Sequence, residues 1–105
     1  EVAGVGETEE SARAKGIKYR IAKVPMAYAG RFVAENEGGS GICKVLTGEK
    51  YGEVIGVHML GNPCSEMIYG ACLAIEQEMT IEQLQEVVFP HPTVSEIFKE
   101  TISSF

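Results

Sequence analysis

Two apolar runs rich in β-branched residues, Ile42 to Thr47 and Glu53 to Leu60, flank the stretch Gly48-Glu49-Lys50-Tyr51-Gly52. Runs of this kind joined by a short Gly-containing turn read as antiparallel partners. No other feature constrains the fold as much. The second run, EVIGVHML, is mostly apolar and is expected to lie centrally in a sheet. Upstream, Gly30 to Asn36 reads as a further strand, closed by the turn Glu37-Gly38-Gly39-Ser40-Gly41. These strands make an antiparallel meander. Ile17 to Tyr28 alternates in part and reads as another strand, whose later portion Pro25 demotes to an edge or a bend. Val2 to Val5 adds a short one.

After Leu60 the chain changes character. Asn62-Pro63 reads as an N-cap followed by proline at the first helical position. Met67, Ile68, Ala71, Cys72, Ile75 and Met79 then share one face of a helix reaching about Glu78. A second helix is expected from Thr80, which forms a capping box with Gln83 and buries Ile81, Leu84, Val87 and Val88. A third is expected from Thr93, with Val94, Ile97, Phe98 and Ile102 on one stripe. Near the start, Thr8 caps a helix through Lys15, Glu9 and Glu10 sit where the helix dipole favours anions, and Gly16 ends it. The order is β-α-β-β-β-β-α-α-α. This is an α+β domain, a mainly antiparallel sheet with helices packed on one face.

A chain of 105 residues is expected to make a single domain, residues 1–105. The net charge of −6 argues against nucleic acid and against an anionic membrane surface as partners. No stretch approaches the roughly 20 apolar residues of a membrane span. The chain opens on Glu1-Val2-Ala3-Gly4-Val5, without an initiator Met or a signal-like start, and is read as a fragment of something longer. Cys43, Cys64 and Cys72 are odd in number and lack CxxC spacing, which points to reduced, mostly buried thiols and to no metal site. Reduced thiols and an acidic chain point to the cytoplasm, or to the mitochondrial matrix for a eukaryotic source.

The chemistry-bearing stretch is Phe89-Pro90-His91-Pro92-Thr93-Val94-Ser95-Glu96. Two prolines fix the backbone on either side of one imidazole. Histidine exchanges protons near neutral pH. A carboxylate accepting its Nδ1 hydrogen would fix the tautomer. Glu96 is spaced to do this, yet Thr93-x-x-Glu96 also fits a capping box, in which Glu96 only serves the Thr93 amide. Both readings stand at this point. His58, within an apolar strand, reads as a strand residue facing a partner or solvent. Gly38, Gly39 and Gly41 lack the Lys-Ser/Thr and the following helix of a phosphate loop. Glu7, Glu9 and Glu10 read more simply as a helix N-terminus than as a metal site.

The motif His91-Pro92-Thr93-Val94-Ser95-Glu96 resembles the H-P-T-x-S/H-E signature of the flavin-dependent pyridine nucleotide-disulfide oxidoreductases. Glu1 to Glu10 resembles the start of that family's last domain, Gly30-Arg31 a recurrent Gly-Arg, Val54 to Gly61 its I-L-G-x-H-x-x-G strand, and Ser65-Glu66-Met67-Ile68 the opening of the next helix. Val94 and Ile97-Phe98-Lys99-Glu100 favour the dihydrolipoamide dehydrogenases within the family. Phe89-Pro90, where those enzymes often carry His-Ala, departs from them. Glutathione reductases and transhydrogenases are the alternatives. Mercuric reductases are disfavoured because no Cys follows Cys72. A stand-alone, non-catalytic dimerisation module is a further alternative.

The resemblance implies a C-terminal dimerisation domain that forms a homodimer. It implies that His91 and Glu96 are the acid-base dyad lent to the partner subunit's disulfide, that the His91-Pro92 backbone lies against the partner's flavin, and that their peptide bond is cis. FAD and NAD are implied for the full-length enzyme, none for this chain alone, which is expected to be inactive in isolation. The implied substrate is dihydrolipoamide, on the lipoyl domain of a 2-oxo acid dehydrogenase or glycine cleavage complex.

Overall fold

The run expected to lie centrally does so. A computed structural model describes all 105 residues and forms one four-stranded sheet. Its strands are β1 (Val2–Gly6), β2 (Tyr19–Pro25), β3 (Ile42–Gly48) and β4 (Val54–Leu60). Their spatial order is β1-β4-β3-β2, and every neighbouring pair is antiparallel. Pro25 is the last residue of β2, an edge strand, where a missing amide costs no ladder bond. A single 3₁₀ turn, Met26–Tyr28, then takes the chain out of the sheet.

The helices are α1 (Glu9–Ala14), α2 (Gly30–Glu35), α3 (Cys64–Glu76), α4 (Ile81–Gln85) and α5 (Glu96–Ile102). Helix α2 corrects the expected strand over Gly30–Asn36. Both edges of β3 are already taken by β2 and β4, so a third meander strand has no place beside it. The segment instead buries Phe32 and the preceding Ala29, leaves Val33 exposed, and links Arg31 to Glu35 across one turn at 2.7 Å.

One sheet face carries the core. Val24, Cys43, Val45, Val57 and Met59 point into it and meet Ala71 and Ala74 of α3, Leu84 of α4, and Ile97, Phe98 and Ile102 of α5. Helix α3 lies over β1 and β4, and α5 over β2 and β3. Ile97 and Ile102 are fully buried, a contribution of about 1.5–3 kcal/mol each. Burial also pushes the Cys43 thiol up to about 11, so it stays protonated and unreactive at neutral pH. Helix α1 lies on the other face. There Glu9 meets Lys23 at 3.7 Å and Lys44 at 3.4 Å, on strand positions alternating with Val24 and Val45.

Three helix ends differ from expectation. Helix α3 starts at Cys64 with Pro63 as its cap residue, and Asn62-Pro63 is cis. Asn62 supplies no cap there, because its side-chain oxygen accepts from the Glu1 ammonium at 3.3 Å. The first turn is served instead by Glu1, whose Oε1 accepts from the Ser65 amide at 3.1 Å and the Ser65 hydroxyl at 2.6 Å. Helix α4 has the expected Thr80-Gln83 box but ends at Gln85, so Val87 and Val88 leave the helical stripe and lie exposed. Helix α5 starts at Glu96 rather than Thr93, while Val94, Ile97, Phe98 and Ile102 are all buried as expected.

Candidate functional site

The connection from α4 to α5 is held at two apolar points. Phe89 meets Phe98 edge-on, with ring centroids 6.2 Å apart, and Val94 is buried against the core. Between them the tip Pro90-His91-Pro92 projects outward. The His91-Pro92 peptide is cis, as the resemblance implied. Polar bonds set the shape of the tip. The Thr93 hydroxyl donates to the Pro90 carbonyl at 2.8 Å. The Thr93 amide donates to Glu96 Oε1 at 3.0 Å. Arg31 Nη1, from α2, donates to the Pro92 carbonyl at 3.1 Å.

His91 and Glu96 are brought together. His91 Nδ1 lies 2.9 Å from Oε1 and 3.0 Å from Oε2 of Glu96. The imidazole side chain is 80% exposed and the carboxylate only 15%. The Thr93 amide, and after it the His91 ring, hold the Glu96 carboxyl below the usual carboxylate range. Glu96 is therefore ionised at neutral pH and can only accept hydrogen bonds. This assigns the hydrogen to His91 Nδ1. In the neutral ring Nε2 then carries the free lone pair, on a side chain that is largely exposed. The same carboxylate accepts from the Thr93 amide, three residues ahead of the helix, and holds the His91 ring.

The other candidates lie elsewhere. His58 is half-buried, and its Nε2 donates to the Glu7 carbonyl at 2.8 Å. A Cβ on Gly56 would collide with that same carbonyl, so Gly56 and His58 together seat the β1–α1 turn against β4. Glu7 pairs with Lys15 at 2.7 Å, Glu9 with Lys23 and Lys44, and Glu10 with Arg13 at 3.9 Å. No three metal-ligating side chains gather anywhere in the chain. Gly38, Gly39 and Gly41 lie between α2 and β3, so the element that follows them is a strand and not the helix of a phosphate loop. The three thiols are unpaired. Cys43 and Cys64 are buried and Cys72 is partly so. In the sequence Arg31 stands out only as part of Gly30-Arg31. Its bond to Pro92 spans 61 residues, and no local pattern signals it.

The family described as pyridine nucleotide-disulphide oxidoreductase, dimerisation domain, matches residues 1–102. The chain belongs to this family. Its relatives include a protein from Rhizobium etli named dihydrolipoyl dehydrogenase, 40% identical over 102 residues, which are 97% of this chain and 21% of that protein. Another is the human mitochondrial dihydrolipoyl dehydrogenase, 38% identical over 100 residues, 95% of this chain and 19% of its own length. The chain thus spans about a fifth of these relatives. Among solved structures, the HOCl-induced flavoprotein disulfide reductase RclA from Escherichia coli superposes with a TM-score of 0.88 at 25% identity, over 97% of this chain and 23% of that one. LpdA from Mycobacterium tuberculosis gives a TM-score of 0.87 at 22% identity, over 98% and 22% respectively, a likeness of fold. No helix is long and apolar enough to cross a membrane.

Proposed function

We propose that this dimerisation domain belongs to a dihydrolipoyl dehydrogenase-type flavoenzyme and supplies His91 and Glu96, as an acid-base dyad, to the active site of its homodimer partner. The observation that carries this reading is an outward imidazole, 80% exposed, fixed at Nδ1 by a carboxylate that is 15% exposed. A structural histidine gains nothing from such exposure. One that serves a group on another subunit requires it.

The dithiol substrate must attack the enzyme's disulfide as a thiolate. A free thiol titrates near 8.5, so only a few per cent is ionised at neutral pH. His91 Nε2 takes the thiol proton as the sulfur attacks. One enzyme S–S bond breaks, a mixed disulfide forms, and the imidazolium returns the proton to the departing thiolate. The substrate's second thiol, giving its proton to His91, then attacks that mixed disulfide, closing the substrate disulfide and releasing the second cysteine. Glu96 holds the ring and balances its positive charge while it is protonated.

The His91-Pro92 tip is proposed to lie against the partner's flavin. The Pro92 carbonyl is occupied by Arg31, whereas no backbone or side-chain group of this chain donates to the His91 carbonyl. His91 is thus the residue of the pair with an acceptor to offer, and Pro92 shapes the approach. FAD, held by the other domains of the full-length enzyme, would supply the two-electron acceptor for the reduced cysteines, with NAD⁺ as the final acceptor, while His91 and Pro92 of this chain would lie beside it. Dihydrolipoamide on a lipoyl domain is the proposed substrate, and the cytoplasm or mitochondrial matrix the proposed location.

The test uses the full-length enzyme. His91→Gln is expected to slow dithiol oxidation by about 10² to 10⁴, with flavin content and dimer unchanged. Near-normal turnover would overturn the reading.

A further inference from the structure

We propose that Arg31 is a positioning residue for His91, acting through the peptide that joins Pro92 to Thr93. The inference rests on the reading of His91 as the acid-base group. That peptide is gripped at both ends. Its carbonyl accepts from Arg31 Nη1 at 3.1 Å, and its amide donates to Glu96 Oε1 at 3.0 Å. Glu96 in turn holds the imidazole at 2.9 Å. The same guanidinium is aimed from its other side by Glu35, whose carboxylate accepts from Nε at 2.7 Å. Arg31, Glu96 and His91 thus form one chain of bonds with the Pro92–Thr93 peptide as its middle link.

An exposed Arg–Glu pair one turn apart usually contributes little to stability. The bond to Pro92 sets this one apart. It crosses from α2 to a segment with no regular structure, 61 residues away, and is a charge-assisted bond to a neutral carbonyl. Between Phe89 and Val94, the two apolar anchors, the bonds of Thr93, Glu96 and Arg31 are what hold the tip. Arg31 is the only one of these three residues contributed from outside the connection and α5. Without it, the ring can swing as a unit with the tip even though its bond to Glu96 survives. A displacement of about 1 Å at a reacting group can cost up to about 10² in rate.

The experiment compares Arg31→Gln, Arg31→Lys and His91→Gln in the full-length flavoenzyme, with dihydrolipoamide as substrate. Arg31→Gln is expected to lower kcat about tenfold while KM stays within about twofold, because chemistry is mispositioned and substrate binding is not. Arg31→Lys, which can still donate to the Pro92 carbonyl, is expected to recover part of that loss. A kcat within about twofold of wild type in Arg31→Gln, or a loss accompanied by loss of flavin or dimer, overturns the positioning role. If His91→Gln is slow and Arg31→Gln is normal, only this inference fails. If His91→Gln itself turns over normally, the reading of the site fails and this inference with it.

Discussion

The chain contains two stretches with nearly the same capping pattern, Thr80-x-x-Gln83 and Thr93-x-x-Glu96, and they do different things. At Thr80 the box is complete. The hydroxyl accepts from the Gln83 amide at 3.2 Å, and Gln83 Oε1 accepts from the Thr80 amide at 3.0 Å. At Thr93 only half of it forms. Glu96 accepts from the Thr93 amide, but the Thr93 hydroxyl turns away to the Pro90 carbonyl, and the helix begins at Glu96 itself. The second carboxylate oxygen and part of the first are left for His91. The first box starts a helix. The second bends a rigid tip back onto the first residue of a helix, so that one carboxylate fixes both backbone and imidazole. Two prolines around a histidine are what convert one arrangement into the other.

The comparison can be broken from either side. Glu96→Gln makes the second box chemically like the first. It keeps an acceptor for the Thr93 amide and removes the charge that balances the imidazolium. Dithiol oxidation is expected to fall about ten- to a hundredfold, the cost seen when a carboxylate that orients a metal-bound histidine is lost. The thermal midpoint of the enzyme should move little. A large drop in midpoint with unchanged turnover would mean that Glu96 only caps. Thr80→Ala is the mirror experiment. It should cost about 1 kcal/mol of stability in denaturant unfolding and leave turnover alone.

A smaller effect is expected from Thr93→Val, which deletes the hydroxyl bond to Pro90 and retains the amide that Glu96 needs. Turnover should fall by a few-fold at most, on the order of one neutral hydrogen bond, and a fall as large as that of Glu96→Gln would shift the centre of the site to Thr93. The pH dependence sharpens the same contrast. A carboxyl held below its ordinary value of 4.5 keeps its network fully formed above that pH and loses it as the pH falls through the lowered value. Carbon-13 NMR of the side-chain carboxyls should therefore find Glu96 titrating below 4.5. Titration at or above that value would contradict the double grip.

Much of this was legible in the sequence, and the reasons differ by region. The β3–β4 pair and the α5 stripe were readable because their burial is local and periodic. Val45 and Val57 face one core, and Val94, Ile97, Phe98 and Ile102 fall on one side of the chain whether or not the first residues are helical. The segment from Gly30 was not readable. Its residues suit either element, and the decision lay in the occupied edges of β3, a fact about strands elsewhere. The start of α3 was misplaced for a similar reason, since Glu1 reaches 64 residues forward to bond Ser65. For the site, the spacing of His91 and Glu96 suggested contact. The capping pattern places Glu96 one turn into a helix, whereas Glu96 begins the helix and the preceding turn folds back to meet it. Gly30-Arg31 fell within the family resemblance, but the bond from Arg31 to Pro92 was not legible, because only the folded chain places α2 beside Pro92.

The central claim is that His91 of one subunit serves the disulfide of the other. A mixed dimer tests it most directly. One subunit carries His91→Gln with its redox cysteines intact, and the other carries His91 with its redox cysteines replaced by serine. Each homodimer should be inactive in dithiol oxidation. The mixed dimer should recover about half of wild-type activity, because in a twofold dimer one of its two sites then combines an intact disulfide with an intact histidine. Activity no higher than that of the two inactive homodimers would contradict the account.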